Sequence, residues 1–517
     1  MTTTYTSTEL SPEIDAQFER GIDRVRASAG EYQLLIGGQW RSGSAGQFCE
    51  QNPGRLAESL GTFAKASADD VTDAIAAARR AQRSWRQVPV EERVAILSRT
   101  ADGLRRRAGD IGGAMCLEVG KNRLECMGEV DEAVELIRYY SAQAASGFDI
   151  ELDVPSPECR NRSVMRPFGV FGVIVPFNFP LALLTGPSVA AMLAGNTVVA
   201  KPGPTTSLVS ILLADELLNA GLPEGVFNLV TGGDEAGRAL AASDIDGIVF
   251  TGSYAVGRKI AVAFACGAEY PRPAIIEMGG KNPAIVSASA DIDAAAEGIT
   301  RSAFGLSGQK CSACSRAIVH EDVYDAMLER LIDHTREWVV GDPADRTSRI
   351  GPVHTASAFA RYKLDIADAQ RDGRIVIGGK TLRDHELDGY YVEPTIVTEL
   401  PAGHRLIREE QFVPLLVVER VRSLDHALKT ANDQVFGLTA GFFSQDQHEV
   451  QTFLDRIEAG TLFVNRAAGA TTGGWPGQQT YPGWKGSGST GRGGLGPRYV
   501  EQFLREQGWN IVYEERT

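Results

Sequence analysis

The segment from Gly169 to Pro204, GVFGVIVPFNFPLALLTGPSVAAMLAGNTVVAKPGP, decides the fold class of this chain. It carries no charge before Lys201 and is long enough to cross a bilayer. Proline and glycine interrupt it repeatedly, however, and Asn178 would lie in the middle of the membrane. A buried strand, a turn and a buried helix therefore explain the segment better than a transmembrane span.

The sequence after this segment repeats a pattern in which strands and helices alternate. Short β-branched runs such as VFNLV and DGIVF are separated by helical segments and by Gly, Asn and Pro. This alternation is typical of βαβ units and predicts an α/β fold whose parallel sheet is covered by helices on both faces. A second α/β block begins near Glu277 and continues to about Gly488.

The N-terminal part of the chain is mainly helical in pattern. Residues 1–30 are predicted to form a polar arm. Ser67 is predicted to cap a helix over residues 68–85, because acidic residues would lie in its first turn, where the helix dipole favours negative charge. Residues 89–108 and 123–144 also place apolar side chains at helical spacing.

Composition limits the classes of protein that this chain can belong to. Its 517 residues, 43% of them hydrophobic, are enough for two or three domains with a sizeable core. A formal charge of −14 and a pI near 5.2 argue against nucleic acid or an anionic membrane as partner. Seven scattered cysteines indicate a reducing compartment, and the N-terminus lacks the pattern of a signal peptide, so we expect a cytoplasmic protein.

Cys311 lies in SGQKCSACSR, residues 307–316, and Cys314 follows three residues later. Such a pair is compatible with half a zinc site, a redox pair, or one nucleophile beside an unreactive cysteine. Zinc would require a second Cys or His pair, and the closest histidine, His320, stands alone, so no metal is predicted. No thioredoxin-like context surrounds the pair, which disfavours the redox alternative. A nucleophilic thiolate would need an accessible, electropositive site.

Two further side chains are suited to catalysis. Glu277 ends an apolar strand, where burial would raise its pKa towards the range of a general base near neutral pH. Asn178 lies in a turn between two prolines, where its amide could donate to a developing oxyanion. Taken alone, Glu277 is better explained as an ordinary surface carboxylate and Asn178 as a turn-forming asparagine.

Turns after two other strands are candidates for binding a nucleotide. VFTGSYAVGRKI places Gly252 and Gly257 between a strand and a helix, whose N-terminus can hold a pyrophosphate. The spacing is not the Gly-x-Gly-x-x-Gly fingerprint, and by itself it is a weak signal. Lys201 ends the strand NTVVA, where a lysine can reach a ligand at the carboxyl edge of the sheet.

These residues occur in a defined order along the chain. Asn178 precedes Lys201 by 23 residues, Lys201 precedes Glu277 by 76, and Glu277 precedes Cys311 by 34. With the motifs PFNFP, GNTVVAKP, FTGSYAVG, EMGGKNP, GQKC and EEQFVPL, the chain resembles the aldehyde dehydrogenase superfamily over roughly residues 35–515. PGWKGSGSTG is similar to the C-terminal Gly-Gly-x-Lys-x-Ser-Gly signature of that superfamily.

The resemblance implies oxidation of an aldehyde to a carboxylic acid through a cysteine thiohemiacetal and thioester. Cys311 would be the nucleophile, Glu277 the general base that activates water, and Asn178 the oxyanion donor. Cys314 would be a packed strand residue, with protection of Cys311 by a disulfide as the alternative. The expected cofactor is NAD, with NADP also accepted. The residues that would bind it are Pro176, Phe177, Lys201, Pro204, Gly252, Ser253, Gly257, Glu410 and Phe412.

Within the superfamily, GQKCSACSR and the loop ATTGGWPGQQTYPGWKGSG resemble the 1-pyrroline-5-carboxylate (glutamate γ-semialdehyde) dehydrogenases of proline catabolism. This narrower resemblance implies glutamate γ-semialdehyde as substrate. Its α-carboxylate would be held by Ser312 and by the backbone N–H groups of Gly473 and Gly474. A bulkier or aromatic aldehyde, admitted by Trp475, is the alternative, and a catalytically silent binding protein of the same fold is a third.

The resemblance also implies a division into domains. A Rossmann-like dinucleotide-binding domain would comprise residues 1–148 and 167–276, and an α/β catalytic domain residues 277–488. Residues 149–166 and 489–517 would form a small β element for oligomerisation, because they look like strands without a sheet within the chain to complete. The expected assembly is a homodimer or a dimer of dimers.

Overall fold

The computed structural model describes residues 2–152, 159–267, 269–382 and 388–512. They form two α/β domains, each built on a seven-stranded sheet, together with smaller sheets, so the predicted fold class is confirmed. The helices span Pro12–Ala27, Ala68–Trp85, Val90–Arg106, Ala108–Val119, Arg123–Ala145, Ala182–Leu193, Ser207–Asn219, Asp234–Ala241, Tyr254–Cys266, Ile292–Phe304, Tyr324–Arg336, Ala356–Asp372, Arg405–Arg408, Leu424–Asn432 and Gln447–Arg456.

Local sequence signals set several of these helix ends. The helix Ala68–Trp85 begins after Ser67, whose side chain accepts hydrogen bonds from the N–H groups of Asp69 and Asp70. The Asp70 carboxylate accepts in return from the Ser67 N–H, which completes a capping box. The predicted cap and helix are confirmed.

The uncharged segment forms the strand Val170–Ile174, the helix Ala182–Leu193 and the strand Thr197–Lys201. Nearly every side chain in the three elements is buried, which explains why the segment is apolar throughout. In the described part of the chain no helix combines the length and the apolarity that crossing a membrane requires.

The first sheet belongs to the domain predicted to bind the dinucleotide. Its first five strands in spatial order pair in parallel, and the last two pairings, which involve Leu34–Ile36, are antiparallel. Because parallel strands end at the same edge, Lys201 and Glu277 lie along one side of this sheet. The spatial order is Ala274–Met278, Gly247–Gly252, Val170–Ile174, Thr197–Lys201, Phe227–Leu229, Leu34–Ile36 and Gln39–Arg41.

The second sheet forms the domain predicted to be catalytic. All its pairings are parallel except that of the edge strand Arg374–Ile377. The spatial order is Arg374–Ile377, Thr395–Thr398, Leu415–Val421, Cys314–His320, Asn282–Val286, Thr439–Phe443 and Thr461–Val464. The strand Ala274–Met278 belongs to the first sheet and crosses the boundary predicted at residue 277, so the two sheets divide after Met278.

A third sheet contains Ile150–Glu151, Cys159–Pro167 and Leu504–Val512. The expectation that these segments lack a partner within the chain is wrong, because Leu504 pairs with Pro167 and Val512 with Cys159 in one antiparallel ladder. Leu504–Val512 lies at the edge of this sheet among the described residues. In a fourth sheet, Arg55–Ala64 pairs with Glu31–Tyr32 on one side and with Gln47–Asn52 on the other. The remaining strands pair as Thr381–Leu382 with Tyr391–Val392 and Phe436–Gly437 with Trp484–Lys485.

Much of the segment 1–30 is not a polar arm. Its helix Pro12–Ala27 packs against Ala108–Val119, and the two backbones approach so closely that a Cβ on Gly21 would lie 1.9 Å from the Gly109 carbonyl oxygen. The buried side chains of the first helix are Phe18, Ile22 and Val25. The polar composition of this segment did not reveal that it forms an amphipathic helix. This packed helix also fixes the position of the residues that precede it.

Candidate active site

A cavity of about 120 Å³ is lined by residues from both large domains. Five residues predicted for catalysis or substrate binding face it together: Glu277, Cys311, Ser312, Gly473 and Gly474. The other lining side chains are mainly apolar or aromatic. The cavity is therefore a mostly apolar chamber in which a thiol, a carboxyl group and a few backbone groups converge.

The turn before Cys311 has an unusual backbone. The helix Ile292–Phe304 ends before this turn, and Leu306, Ser307 and Gly308 then take φ values of 50°, 54° and 69°. The first two are not glycines, so the turn holds conformations that L residues rarely adopt. The Ser307 hydroxyl donates to the Gly351 carbonyl at 2.7 Å, which helps to hold the strained turn.

Asn282 fixes the Cys311 turn to the second sheet. Its Nδ2 donates to the carbonyl oxygens of Cys311 at 2.7 Å and Ala313 at 3.0 Å. Its Oδ1 accepts from the Thr439 N–H at 3.0 Å. A Cβ on Gly280 would lie 2.5 Å from the Cys311 carbonyl oxygen, so this approach requires glycine.

The electrostatic surroundings of Cys311 differ from the expected electropositive site. Burial, followed by the negative charges of Glu410 and Glu277, raises the pKa of the Cys311 thiol to about 12. The neighbouring protein groups therefore favour the neutral thiol. Cys314 lies buried in the strand Cys314–His320, as predicted, and burial raises the pKa of its thiol to about 12 as well.

Glu277 has the properties expected of a general base. It is the penultimate residue of the strand Ala274–Met278, and burial raises the pKa of its carboxyl group to about 7. The Gly494 N–H donates weakly to its Oε1 at 3.4 Å. A carboxyl group with a pKa near neutrality can accept a proton from water and release it again.

Asn178 lies behind the Cys311 turn. It is almost completely buried, and its Nδ2 donates to the Gln309 carbonyl at 3.0 Å, two residues before Cys311. The Gln309 Oε1 in turn accepts from the His354 N–H at 2.8 Å. This arrangement orients the Asn178 amide towards the segment that carries the thiol, and one amide hydrogen remains for a further acceptor.

Lys201 and the turn after Gly252 fit a dinucleotide. The Lys201 ammonium is buried, has no hydrogen-bond acceptor among the described residues, and burial lowers its pKa to about 8. Ser253 precedes the helix Tyr254–Cys266 without capping it by its side chain, which leaves the N–H groups of Tyr254 and Ala255 for an anion. A Cβ on Gly257 would lie 2.7 Å from the Met278 side chain, so glycine is needed there.

The other predicted cofactor residues lie on both sides of the cleft. Glu410 accepts from the Gly280 N–H at 2.9 Å, and burial raises its pKa to about 7. The Phe412 ring lies edge-on to that of Phe177, with 6.0 Å between centroids, and Phe412 has a positive φ of 58°. Pro176 follows the strand Val170–Ile174, and Pro204 is exposed beyond Lys201.

The predicted carboxylate anchor has unpaired donors. Among the described residues, the N–H groups of Gly473 and Gly474 donate no hydrogen bond, although both glycines line the cavity. Arg466 donates to the Gly473 carbonyl at 2.7 Å and holds this turn in place. The Tyr481 hydroxyl contacts the Ser312 side chain, and the Thr471 hydroxyl donates to the Ser312 carbonyl at 2.7 Å. Two amide donors and a hydroxyl group can bind a carboxylate without a buried cation.

Comparisons with known proteins agree with this geometry. The model of the aldehyde dehydrogenase family matches residues 40–507. A 1-pyrroline-5-carboxylate dehydrogenase of Bacillus cytotoxicus is 35% identical over 497 residues, which cover 94% of each chain. A solved 1-pyrroline-5-carboxylate dehydrogenase from Thermus with bound NAD superposes with a TM-score of 0.94, at 35% identity and 98% coverage of both chains. An NAD-dependent aldehyde dehydrogenase from Sinorhizobium meliloti gives a TM-score of 0.89, at 31% identity, over 96% of this chain and 98% of its own.

The chain belongs to the aldehyde dehydrogenase family. It is therefore an NAD(P)-dependent oxidoreductase that acts on aldehydes, as the motifs predicted. Within the described ranges of this enzyme, no group of three His, Cys, Asp or Glu side chains is arranged to hold a metal ion.

Sequence reasoning missed several polar side chains of this aldehyde dehydrogenase site, among them an acidic residue and three tyrosines. Tyr5, Glu132, Tyr140 and Tyr481 line the cavity. The Tyr5 hydroxyl donates to the Glu132 carboxylate, whose pKa burial raises to about 7. Glu132 gave a local signal, since it is an acidic residue on an otherwise buried stretch of the helix Arg123–Ala145, but the tyrosines gave none.

Trp475 does not have the position that was expected of it. It is buried and its ring lies edge-on to that of Tyr5, with 6.0 Å between centroids, instead of lining the cavity with Cys311. The reason given for a bulky or aromatic aldehyde therefore does not apply to the described cavity.

Substituting each of the two neighbouring cysteines in turn tests which of them is the nucleophile. We expect Cys311→Ala to reduce aldehyde oxidation to below about one-thousandth of the wild-type rate, because no other thiol faces the cavity. Cys314→Ala should keep most of the activity, since that thiol is packed within a strand. Steady-state formation of reduced cofactor by both variants is the measurement, and equal losses would contradict the assignment.

Proposed function

We propose that this enzyme oxidises glutamate γ-semialdehyde to glutamate. The observation that supports the proposal best is that Gly473 and Gly474, whose N–H groups donate no hydrogen bond among the described residues, line the cavity shared by Cys311 and Ser312. A substrate with a carboxylate at one end and an aldehyde at the other would satisfy these donors and place its aldehyde carbon near the thiol. The relatives named 1-pyrroline-5-carboxylate dehydrogenase support the same substrate.

Acylation begins with the Cys311 thiol losing its proton and its sulfur forming a bond to the aldehyde carbon. That proton is released to solvent, so the Glu277 carboxylate in the same cavity stays free for the later attack of water. The oxyanion of the adduct is held by the Asn178 amide and by the backbone N–H of Cys311, which has no acceptor among the described residues.

Deacylation depends on Glu277. The bound cofactor supplies the hydride acceptor and a positive charge, and the oxidised adduct is a thioester on Cys311. Glu277 takes a proton from water as the water oxygen attacks the thioester carbon, and the Cys311 sulfur leaves with the electron pair of the broken bond. A carboxyl group of pKa about 7 is ionised in a large fraction of molecules at neutral pH, which suits this role.

We propose NAD as the cofactor, with NADP tolerated. Lys201 would meet the adenosine ribose, and the first turn after Ser253 would meet the pyrophosphate. Pro204, which is exposed beside this site, can neither hydrogen-bond a ribose hydroxyl nor repel a 2′-phosphate. We also propose a reducing compartment, the cytoplasm, because the seven cysteines are odd in number and scattered along the sequence.

The substrate proposal is tested by comparing glutamate γ-semialdehyde with pentanal, which has the same chain length but no carboxylate. We expect kcat/KM for pentanal to be lower by at least about tenfold, because each hydrogen bond to a charged group contributes about 1.5–3 kcal/mol. Ser312→Ala should raise KM for the semialdehyde and leave pentanal unchanged, with Ser315→Ala as the matched control. Assays with NAD⁺ and NADP⁺ should both give turnover.

Equal efficiency with the two aldehydes would refute the carboxylate anchor. No turnover with any aldehyde would instead favour the silent binding protein.

The substitution Glu277→Gln tests whether Glu277 is needed for deacylation and not for acylation. An amide cannot accept a proton from water, so we expect a burst of reduced cofactor followed by steady turnover about 10²–10⁴-fold below wild type. The wild-type kcat should rise as the pH increases through about 7, because the ionised carboxylate is the active form and predominates at a pH above its pKa. This rise of kcat with pH should be absent in Glu277→Gln. It should persist in Glu501→Gln, whose carboxylate lies outside the cavity. A wild-type steady rate in Glu277→Gln would exclude the base role.

We propose that the enzyme forms a homodimer or a dimer of dimers through its third sheet. The edge strand Leu504–Val512 presents unpaired backbone groups to a second copy. Truncation after Gln507 should lower the mass measured by size-exclusion chromatography with light scattering. Truncation after Val512, which keeps the whole strand, is the matched control, and an unchanged mass in both would count against this interface.

A further inference from the structure

The first residues of the chain cover one side of the aldehyde cavity. The Thr3 N–H donates to the Asp131 carboxylate at 2.6 Å, and Arg301 donates to the Ser7 carbonyl at 3.3 Å. The Ser7 N–H donates to the Thr4 carbonyl at 3.0 Å, which closes a turn around Tyr5. Residues 3–7, here called the N-terminal strap, are thereby held between a helix of the first domain and a helix of the second.

Tyr5 is the one side chain of the strap that lines the cavity with Cys311. Its ring lies edge-on to Phe179, with 5.7 Å between centroids, and edge-on to Trp475. Its hydroxyl donates to the Glu132 carboxylate. The ring is therefore fixed by two aromatic contacts and one hydrogen bond to a buried acceptor.

A second and larger pocket lies on the other side of Tyr5. It has a volume of about 600 Å³ and is lined largely by charged and polar residues. Cys311 does not line it, whereas Tyr5 and Lys310 line both the larger pocket and the aldehyde cavity. The Lys310 ammonium is ion-paired with Glu125 and lies 5.8 Å from the centre of the Tyr5 ring. Tyr5 and Lys310 together form the partition between the two spaces.

We propose that Tyr5 is a specificity-determining residue, whose ring closes the aldehyde cavity towards the outer pocket and limits the length of aldehyde that Cys311 oxidises. The inference rests on the oxidation of aldehydes at Cys311 and not on the identity of the aldehyde. Loss of the ring would join a chamber of about 120 Å³ to one of about 600 Å³. Aldehydes too long for the closed cavity would then have room for their distal end.

Two substitutions distinguish the contribution of the Tyr5 ring from that of its hydroxyl. Tyr5→Ala removes the partition, whereas Tyr5→Phe keeps the ring and removes only the hydrogen bond to Glu132. Tyr32→Ala is the matched control, because Tyr32 also stacks on an aromatic ring, that of Phe63 at 4.8 Å, and does not line the cavity. Tyr5→Leu is a second test of the partition with a smaller loss of apolar contact.

The measurement is kcat/KM for a series of linear aldehydes from propanal to decanal. We expect the decanal-to-butanal ratio of kcat/KM to rise about tenfold or more in Tyr5→Ala and less in Tyr5→Leu. The ring would no longer exclude the distal part of the longer aldehyde, and one methylene that a pocket cannot accommodate changes specificity by about tenfold or more. The ratio should stay at the wild-type value in Tyr5→Phe and Tyr32→Ala. A merely structural role would lower the rates for all aldehydes in parallel, and an unchanged ratio in folded Tyr5→Ala would overturn the proposal.

A second readout does not depend on turnover. Labelling of Cys311 by iodoacetamide and by the bulkier fluorescein-5-maleimide is followed by mass spectrometry of the peptide that contains it. The bulky-to-small rate ratio should rise about fivefold or more in Tyr5→Ala, in line with the size of the opened chamber. If this ratio rises while the wild type oxidises no aldehyde, the proposed function fails and the partition stands. If neither ratio changes, the partition is refuted.

Discussion

The hydrogen bonds of Asn282 are the constraint on which the rest of this site depends. One buried side chain binds the carbonyls of Cys311 and Ala313 and the N–H of Thr439. It therefore joins the thiol-bearing turn to the first residue of the strand Thr439–Phe443. Each of these backbone groups would otherwise be buried without a partner, at a cost of about 1–3 kcal/mol. The strained turn before Cys311 persists because this clamp and the Ser307 bond hold both of its ends.

The same short connection, residues 278–282, joins the two large sheets. Glu277 ends the last strand of the first sheet and Asn282 begins a central strand of the second, so the base and the thiol are brought to one cavity from two domains. Burial raises the pKa of Glu277, Glu410 and Cys311 around this junction. It lowers the pKa of Lys201, which ends another strand of the first sheet. The protein alone therefore favours the neutral forms of these groups, which suits a site completed by a charged cofactor.

The walls of the cavity come from parts of the chain that are distant in sequence. Tyr5 lies 127 residues from Glu132, to which it donates, and Gly473 and Gly474 approach Ser312 from the C-terminal region. Glu125, Glu129 and Glu132 lie along one helix, and the first two are paired with Lys310 and Lys121. Glu132 has the Tyr5 hydroxyl instead of a cation, which ties the strap to the substrate chamber.

The sequence by itself determined the α/β class and the capped helix after Ser67, because periodicity and capping are local. It also predicted Cys311, Glu277 and Asn178 as site residues from the order and spacing of their motifs, and of these Cys311 and Glu277 line one cavity. Only the tertiary structure decided that Leu504–Val512 pairs with Cys159–Pro167, that Tyr5 closes the cavity, and that Cys311 lies among carboxylates. These features depend on contacts between residues far apart in the chain. No local pattern specifies such contacts, since they follow from how the two sheets and the N-terminal helix pack.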